Sequence, residues 1–202
     1  VSTLRETKTR RLKQAILAAA AHEFSRHGYA ATNVEDIAAR AGVGVSTIYK
    51  HFGVKGGLVR ELWRPEIERM RQEGERLLAD PPAEPARALA DLVGLYRFGD
   101  DWKQRDLFRA VAGHDLGYGA LFEGLRERLD ALILAQLERL IRHFQRLGRV
   151  PGELNGRDMA FVLYSVMTLH LQMWAMQDAV PLDRTRRDLR RRILLLFRPW
   201  VT

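Results

Sequence analysis

One stretch limits this chain more than any other: TNVEDIAARAGVGVSTIYKHFGVKGGL, residues 32–58. Two short helical patterns flank Gly42, and another turn and helix start follow at once. Thr32 and Glu35 stand at capping-box spacing, and Ile37, Ala38 and Ala41 give the first pattern an apolar face. Gly42 breaks it, and the second pattern spans only Val45 to Phe52. Two helices joined by a glycine turn are the layout of a helix-turn-helix, whose second helix lies in the DNA major groove. Ile37, Ala38, Val43, Ile48 and Phe52 are then expected inside. Val45, Ser46, Thr47, Lys50 and His51 are expected to project outward. Val45 can touch a thymine methyl, and Lys50 can reach a guanine acceptor or a phosphate. The hydroxyls of Thr47 and Tyr49 can donate to phosphates, and Lys55 adds charge at a helix N-terminus suited to anions.

The remaining pattern is helical as well. No sustained apolar/polar alternation bounded by hairpin turns occurs, so the expected class is all-α. A first helix is predicted from Thr9 to His27, stopped by Gly28. A second starts at Thr32, a third spans Val45 to Phe52, and a fourth runs from Lys55 to about Leu78. DPPAEP (80–85) is a loop, and further helices are predicted over 85–97, 101–113, 119–147, 156–178 and 183–198. There is no internal repeat and no low-complexity segment.

Charge supports the reading of the N-terminal part. Residues 1–56 hold nine Lys or Arg against four Asp or Glu, so they carry more than half of the net +8. Such a local basic excess favours a polyanion partner. Arg10 and Arg11 read as a solvated helix start or as an arm for the minor groove. Cysteine is absent, which excludes disulfides and Cys-based metal sites. No uninterrupted apolar run of about 18 residues is present, and the polar start lacks a signal-peptide core. The expectation is a cytoplasmic protein with no membrane partner.

The segment AILAAAAHEFSRHGYAATNVEDIAARAGVGVSTIYKHFGVKGGL resembles the N-terminal DNA-binding domain of the TetR family of transcriptional regulators. The shared pattern, F..HGY..T.V.DIA..AGV...T.Y.HF..K..L, holds many positions in fixed register over about residues 10–58. The resemblance implies a three-helix DNA-binding domain, residues 1–54, and a larger helical domain for effector binding and dimerisation, residues 55–202. It implies a homodimer on double-stranded DNA, usually a repressor released by a small molecule. It places Thr32 at the helix-two cap and a phosphate, and Thr47 and Tyr49 at the DNA backbone. Val45, Ser46, Lys50 and His51 would face bases or nearby phosphates, and Lys55 a phosphate. Two departures stand out. Gly44 replaces the usual capping Ser, and Val54 replaces the Ser before Lys55, followed by Gly56 and Gly57. The glycines predict a soft first turn in helix four.

The C-terminal part carries no strong motif. MAFVLYSVMTLHLQMWAM (159–176) is apolar around most of its circumference and so needs cover on several sides. Leu189, Ile193, Leu196, Phe197 and Trp200 form a stripe on the last helix, opposite its arginines. These two helices from each subunit are expected to build the dimer interface. Phe98, Trp102, Phe108, His114, Tyr118 and Phe122, with Tyr164, Met167, His170, Met173 and Trp174, are candidates to line a pocket for an apolar or aromatic effector. Each also reads as ordinary core, and His170 as a hydrogen-bonded core histidine. The arginines over 184–192 read as a solvated face or as a site for anionic groups. An enzyme or carrier would have to use His114, Asp115 and His170. No nucleophile–base pattern, metal-ligand spacing or phosphate loop accompanies them, so no catalysis, cofactor or metal is expected. A non-specific DNA-coating protein would need no such apolar C-terminal part.

Overall fold

The computed structural model describes residues 4–96, 105, 124–177 and 179–197. All regular structure among them is helical: α1 (Leu4–Ala31), α2 (Val34–Ala41), α3 (Val45–Phe52), α4 (Lys55–Ala79), α5 (Pro85–Leu95), α6 (Leu125–Arg146), α7 (Gly156–Met176) and α8 (Leu182–Phe197). The all-helical expectation holds. The helix predicted over 101–113 lies outside the described residues apart from Arg105. The chain divides into two compact units. Of the described residues, one unit takes 4–65, 105, 124 and 125, and the other takes the rest.

In the first unit α1 packs on α2, and α2 on α3. Helix α1 begins at Leu4 rather than Thr9, and Gly28 (φ 75°, ψ 163°) departs from helical geometry within it. The helix proper therefore ends at His27, where the glycine signal put it. Ile16, Ala19, Ala20 and Phe24 recur at three- and four-residue steps, which puts them on one buried face, and Ile37 and Ala38 of α2 and Ile48 and Phe52 of α3 are buried as well. Glu23, also buried, forms ion pairs with Arg40 of α2 and with His27 at 3.5 Å.

In the second unit α5 and α7 both pack against α8. Pro85 starts α5 at a position where its missing N–H costs nothing. Asn155 caps α7 by accepting from the amides of Arg157 (2.9 Å) and Asp158 (3.3 Å). The core includes Leu89 and Leu92 of α5, Ile133, Leu137, Leu140 and Phe144 of α6, Leu163 and Met167 of α7, and Ile193 of α8. A polar cluster, buried at Tyr96 and Gln136, joins three elements. Tyr96 donates its hydroxyl to Gln136 at 2.5 Å. The Gln136 amide donates to the Arg71 carbonyl and to Glu75, both at 3.1 Å. Arg139 completes it with two hydrogen bonds to Glu75.

Candidate nucleic-acid interface

The turn between α2 and α3 is built by local backbone chemistry. Gly42 is left-handed (φ 66°, ψ 35°); its amide bonds the Ala39 carbonyl, and the Val43 amide bonds that of Ala38. This 6→1 and 5→2 pair is a Schellman stop, which needs a residue without Cβ at its left-handed position. Gly44 follows as the extended N-cap of α3, and its carbonyl accepts from the Thr47 amide at 2.9 Å. Ile48 and Phe52, 1% and 5% exposed, fix the rotation of α3 about its axis.

That rotation sets the outward face. Ser46, Tyr49 and Lys50 are exposed, and Val45, Thr47 and His51 are half-buried beside them. The chemistry at the surface is short at the start of α3 and hydroxyl-bearing or cationic further along. Val43, expected inside, is half-buried.

Thr32 and Lys55 are placed otherwise than expected. The N-cap of α2 is Asn33, not Thr32, and no side chain caps that helix. Thr32 is buried, and its hydroxyl donates to the Gly28 carbonyl at 2.7 Å. The cause is Gly28: leaving the helix there strips its carbonyl of a helical partner. A hydroxyl so turned is not placed to meet a phosphate. The Lys55 ammonium donates to the carbonyls of Tyr29 (2.8 Å) and Thr32 (3.0 Å) and lies 4.3 Å from the centre of the Tyr29 ring. Desolvation holds its pKa below the usual lysine value. Lys55 therefore closes the end of α1 from the start of α4, a cation on orphan carbonyls.

The second of the two glycines after Lys55 has a steric role. A Cβ on Gly57 would lie 1.9 Å from the Phe52 carbonyl oxygen. Close approach of α4 to the end of α3 thus requires glycine at 57, a constraint that the expectation of a soft turn did not contain.

In the second unit the expected pocket and interface residues separate by helix face. Met167, His170 and Trp174 are buried, and Tyr164 is half-buried. His170 is a hydrogen-bonded core residue, with Nδ1 donating to the Val166 carbonyl at 2.6 Å and Nε2 accepting from Arg192. Met173 is 47% exposed and lies on the opposite side of α7, with Phe161, Val162, Leu169 and Met176. It is not placed to line an internal pocket, because the helical turn of about 100° per residue carries it onto the exposed side. On α8, Leu189, Ile193 and Phe197 are buried within the chain itself, while Leu196 is exposed with Leu195. The expected stripe is thus mostly the side of α8 that meets α5 and α7. Leu196 is the one member of the expected stripe, among the described residues, that is exposed; Phe161, Val162, Leu169, Met176 and Leu195 are exposed apolar residues that spacing alone did not single out. Phe98, Trp102, Phe108, His114, Tyr118, Phe122 and Trp200 lie outside the described residues. Helix α7 also meets the length and composition of a membrane-crossing helix, with 39% of its most apolar window buried in the chain. Core helices pass the same test.

A glycine-stopped helix-turn-helix with a polar, partly cationic second helix is the layout of a DNA-binding unit. Residues 16–62 match the family of bacterial regulatory proteins, tetR family. Over these residues the chain carries the DNA-binding domain of the TetR family of transcriptional regulators. It is 24% identical over 166 residues to the HTH-type transcriptional regulator AcrR of Shigella flexneri, covering 80% of this chain and 77% of that one. It is 26% identical over 183 residues to the probable acrEF/envCD operon repressor of Escherichia coli K12, covering 87% and 82%. The fold is similar to that of NalD, the secondary repressor of the MexAB-OprM multidrug efflux pump in Pseudomonas aeruginosa. The TM-score is 0.69 at 21% identity, over 92% of this chain and 96% of that one.

Proposed function

We propose that this chain is a cytoplasmic repressor that binds a palindromic operator as a homodimer and leaves it when a small molecule binds its C-terminal part. The observation that carries the reading is the exposed face of α3, with Ser46, Tyr49 and Lys50 outward and Ile48 and Phe52 inward. Residues 1–54 would recognise DNA, and residues 55–202 would pair the subunits and answer the effector. Val45, Ser46, Lys50 and His51 would meet bases or nearby phosphates, and Thr47 and Tyr49 the backbone. Thr32 and Lys55 would serve by holding the end of α1 in place. The name of one relative, the probable acrEF/envCD operon repressor, supports regulation by repression, and that of the other, an HTH-type transcriptional regulator, supports regulation of transcription. The exposed apolar strip of Phe161, Val162, Leu169, Met173 and Met176, continued by Leu195 and Leu196, supports pairing through α7 and α8. A twofold dimer then calls for an inverted repeat in the DNA. An apolar or aromatic effector releases the operator only if it binds the two states unequally.

The test is selection of bound duplexes from a random pool, followed by a compound screen for release of the winner. An enriched inverted repeat, with Lys50→Ala weakening it by about 1–3 kcal/mol, supports the reading. A pool that stays random ends it.

A further inference from the structure

A cavity of about 220 Å³ opens in the second unit between α5, α7 and α8. Val93 of α5, Met167 and Leu171 of α7, and Leu189 of α8 wall it and are buried. Helix α5 leaves this space by presenting small residues to it. Ala90 and Gly94, one helical turn apart, both line the cavity, and a Cβ on Gly94 would meet nothing within 4 Å. Gly94 is exposed and stands at the mouth, whereas Ala90 is buried.

Two hydroxyls belong to the buried lining. That of Tyr96 is committed to Gln136. That of Thr185, on α8, has no hydrogen-bond partner among the described residues. Thr185 is 8% exposed and shares the buried stripe of α8 with Leu189, Ile193 and Phe197, where spacing calls for an apolar side chain. A helical threonine ordinarily turns its hydroxyl to a carbonyl of the preceding turn. The carbonyl four residues back is that of Pro181, which already accepts from the amides of Arg184 (3.1 Å) and Thr185 (3.4 Å). A buried hydroxyl left unpaired carries a desolvation cost that nothing in the chain offsets. An ordered water needs two to four polar partners, and the buried wall offers one free group.

We propose that this cavity binds a small neutral phenol, with its ring between α5, α7 and α8 and its hydroxyl paired with Thr185. Size narrows the class first. An apolar cavity of about 150 Å³ holds benzene, and drug-sized pockets begin near roughly 300 Å³. The space here therefore admits one ring with a short substituent. Tyr96 and Met167 on the wall favour an aromatic guest. Threonine is uncharged and both donates and accepts, which suits a hydroxyl. Arg186, Arg187 and Arg190 stand at the rim, where Arg186 pairs with Asp183 and Arg190 with Asp91. Of the residues expected to line an effector pocket, Met167 alone borders this cavity among those described. The site thus differs in place from that expectation. It deepens the effector part of the proposed function, and rests on it only for a consequence at DNA.

The test measures binding by calorimetry on the full chain without DNA. The probes are 4-ethylphenol, its methyl ether 4-ethylanisole, which cannot donate, and 4-ethylbenzoate, which is charged. The phenol is expected to bind with Kd below about 1 mM. The ether is expected to bind about two- to tenfold more weakly, the worth of one neutral hydrogen bond, and the benzoate no more tightly than the phenol. Thr185→Val, which keeps the shape and removes the hydroxyl, is expected to erase the preference for phenol over ether. Ala90→Leu, which grows into the cavity from a buried position, is expected to abolish binding. If Ala90→Leu gives no cooperative unfolding transition, Thr185→Val carries the assignment to this cavity. The proposal is overturned if the phenol fails to bind at about 1 mM, if ether or benzoate binds as well or better, if Thr185→Val keeps the preference, or if folded Ala90→Leu binds unchanged. Operator selection on the same proteins is read separately, so loss of DNA recognition and loss of this site cannot be confused.

Discussion

The Gln136 carboxamide occupies the space that a Cβ on Gly74 would take, with its Oε1 2.0 Å from that position. Gly74 is thus glycine because Gln136, 1% exposed, lies across it and ties α4 to Tyr96 and α6. Burial pushes the Tyr96 hydroxyl pKa up, so it remains a donor over the working range of pH. Gly74→Ala should destabilise the protein by about 1–3 kcal/mol, although alanine gains about 1 kcal/mol in helix propensity. Urea unfolding of the two forms checks this. A stabilised variant would show that Gln136 swings aside without loss.

Two glycines of the DNA-binding unit should answer substitution in opposite ways. Gly57→Ala drives a methyl into the Phe52 carbonyl and should cost about 1–3 kcal/mol and weaken operator binding with it. At Gly44 a Cβ would find Ser46 Oγ at 3.6 Å, an ordinary contact. Gly44→Ser should therefore be accepted and stabilise α3 by a few tenths of a kcal/mol, about the difference between these caps. Thermal melts of both variants separate a steric glycine from a replaceable one.

Lys55→Met tests whether the ammonium serves the fold or the DNA. It should lower stability by about 1–3 kcal/mol, since charged donors leave two carbonyls behind. The salt dependence of operator binding should be unchanged. A slope shallower by about 0.9 would instead mark a lost phosphate contact.

Acid should loosen the first unit through Glu23. The hydrogen bond from Arg40 holds its carboxyl pKa below the usual glutamate range. Its folded pKa is below its unfolded one, so the unfolded chain binds the proton more readily and stability rises with pH across that window. The contribution is complete above about pH 4.5 and is lost as pH falls through the lower folded value. Arg40→Gln should flatten this acid limb, as followed by urea midpoints between about pH 3 and 6. An unchanged limb would assign it to other carboxylates.

The exposed face of α7 and the buried face of α8 give a paired prediction. Leu169→Glu with Met173→Glu should turn a dimer into a folded monomer by light scattering, with helix content retained. Leu189→Ala should leave pairing intact and cost each chain about 2–5 kcal/mol in packing. Dimers that survive the double change would place the subunit contact elsewhere.

The elements legible in the sequence were those whose cause is local. Val45–Phe52 has the bounds of α3 because Gly44 and Gly53 cap it, and Gly28 and Gly42 ended their helices as expected. The helix-turn-helix face followed, since Ile48 and Phe52 fix which residues point outward. What spacing could not supply was the partner across the chain. Lys55 looks like a phosphate ligand until its hydrogen bond to Tyr29, 26 residues earlier, is known. Gln136 looks like a surface residue until it meets Arg71, 65 positions away. Leu189, Ile193 and Phe197 form a stripe as predicted, but periodicity cannot say whether a stripe meets its own chain or another.

Helix α8 serves two borders at once. One edge carries Arg186 and Arg190 along the cavity wall, and its final turns carry Leu195 and Leu196 in the exposed apolar strip. A helix transmits small shifts along its length as a nearly rigid rod. A guest in the cavity would then alter how strongly subunits pair, and pairing would alter affinity for the guest by the same factor. Protein concentration would become a second input: a cell holding few copies and a cell holding many would answer the same amount of guest differently.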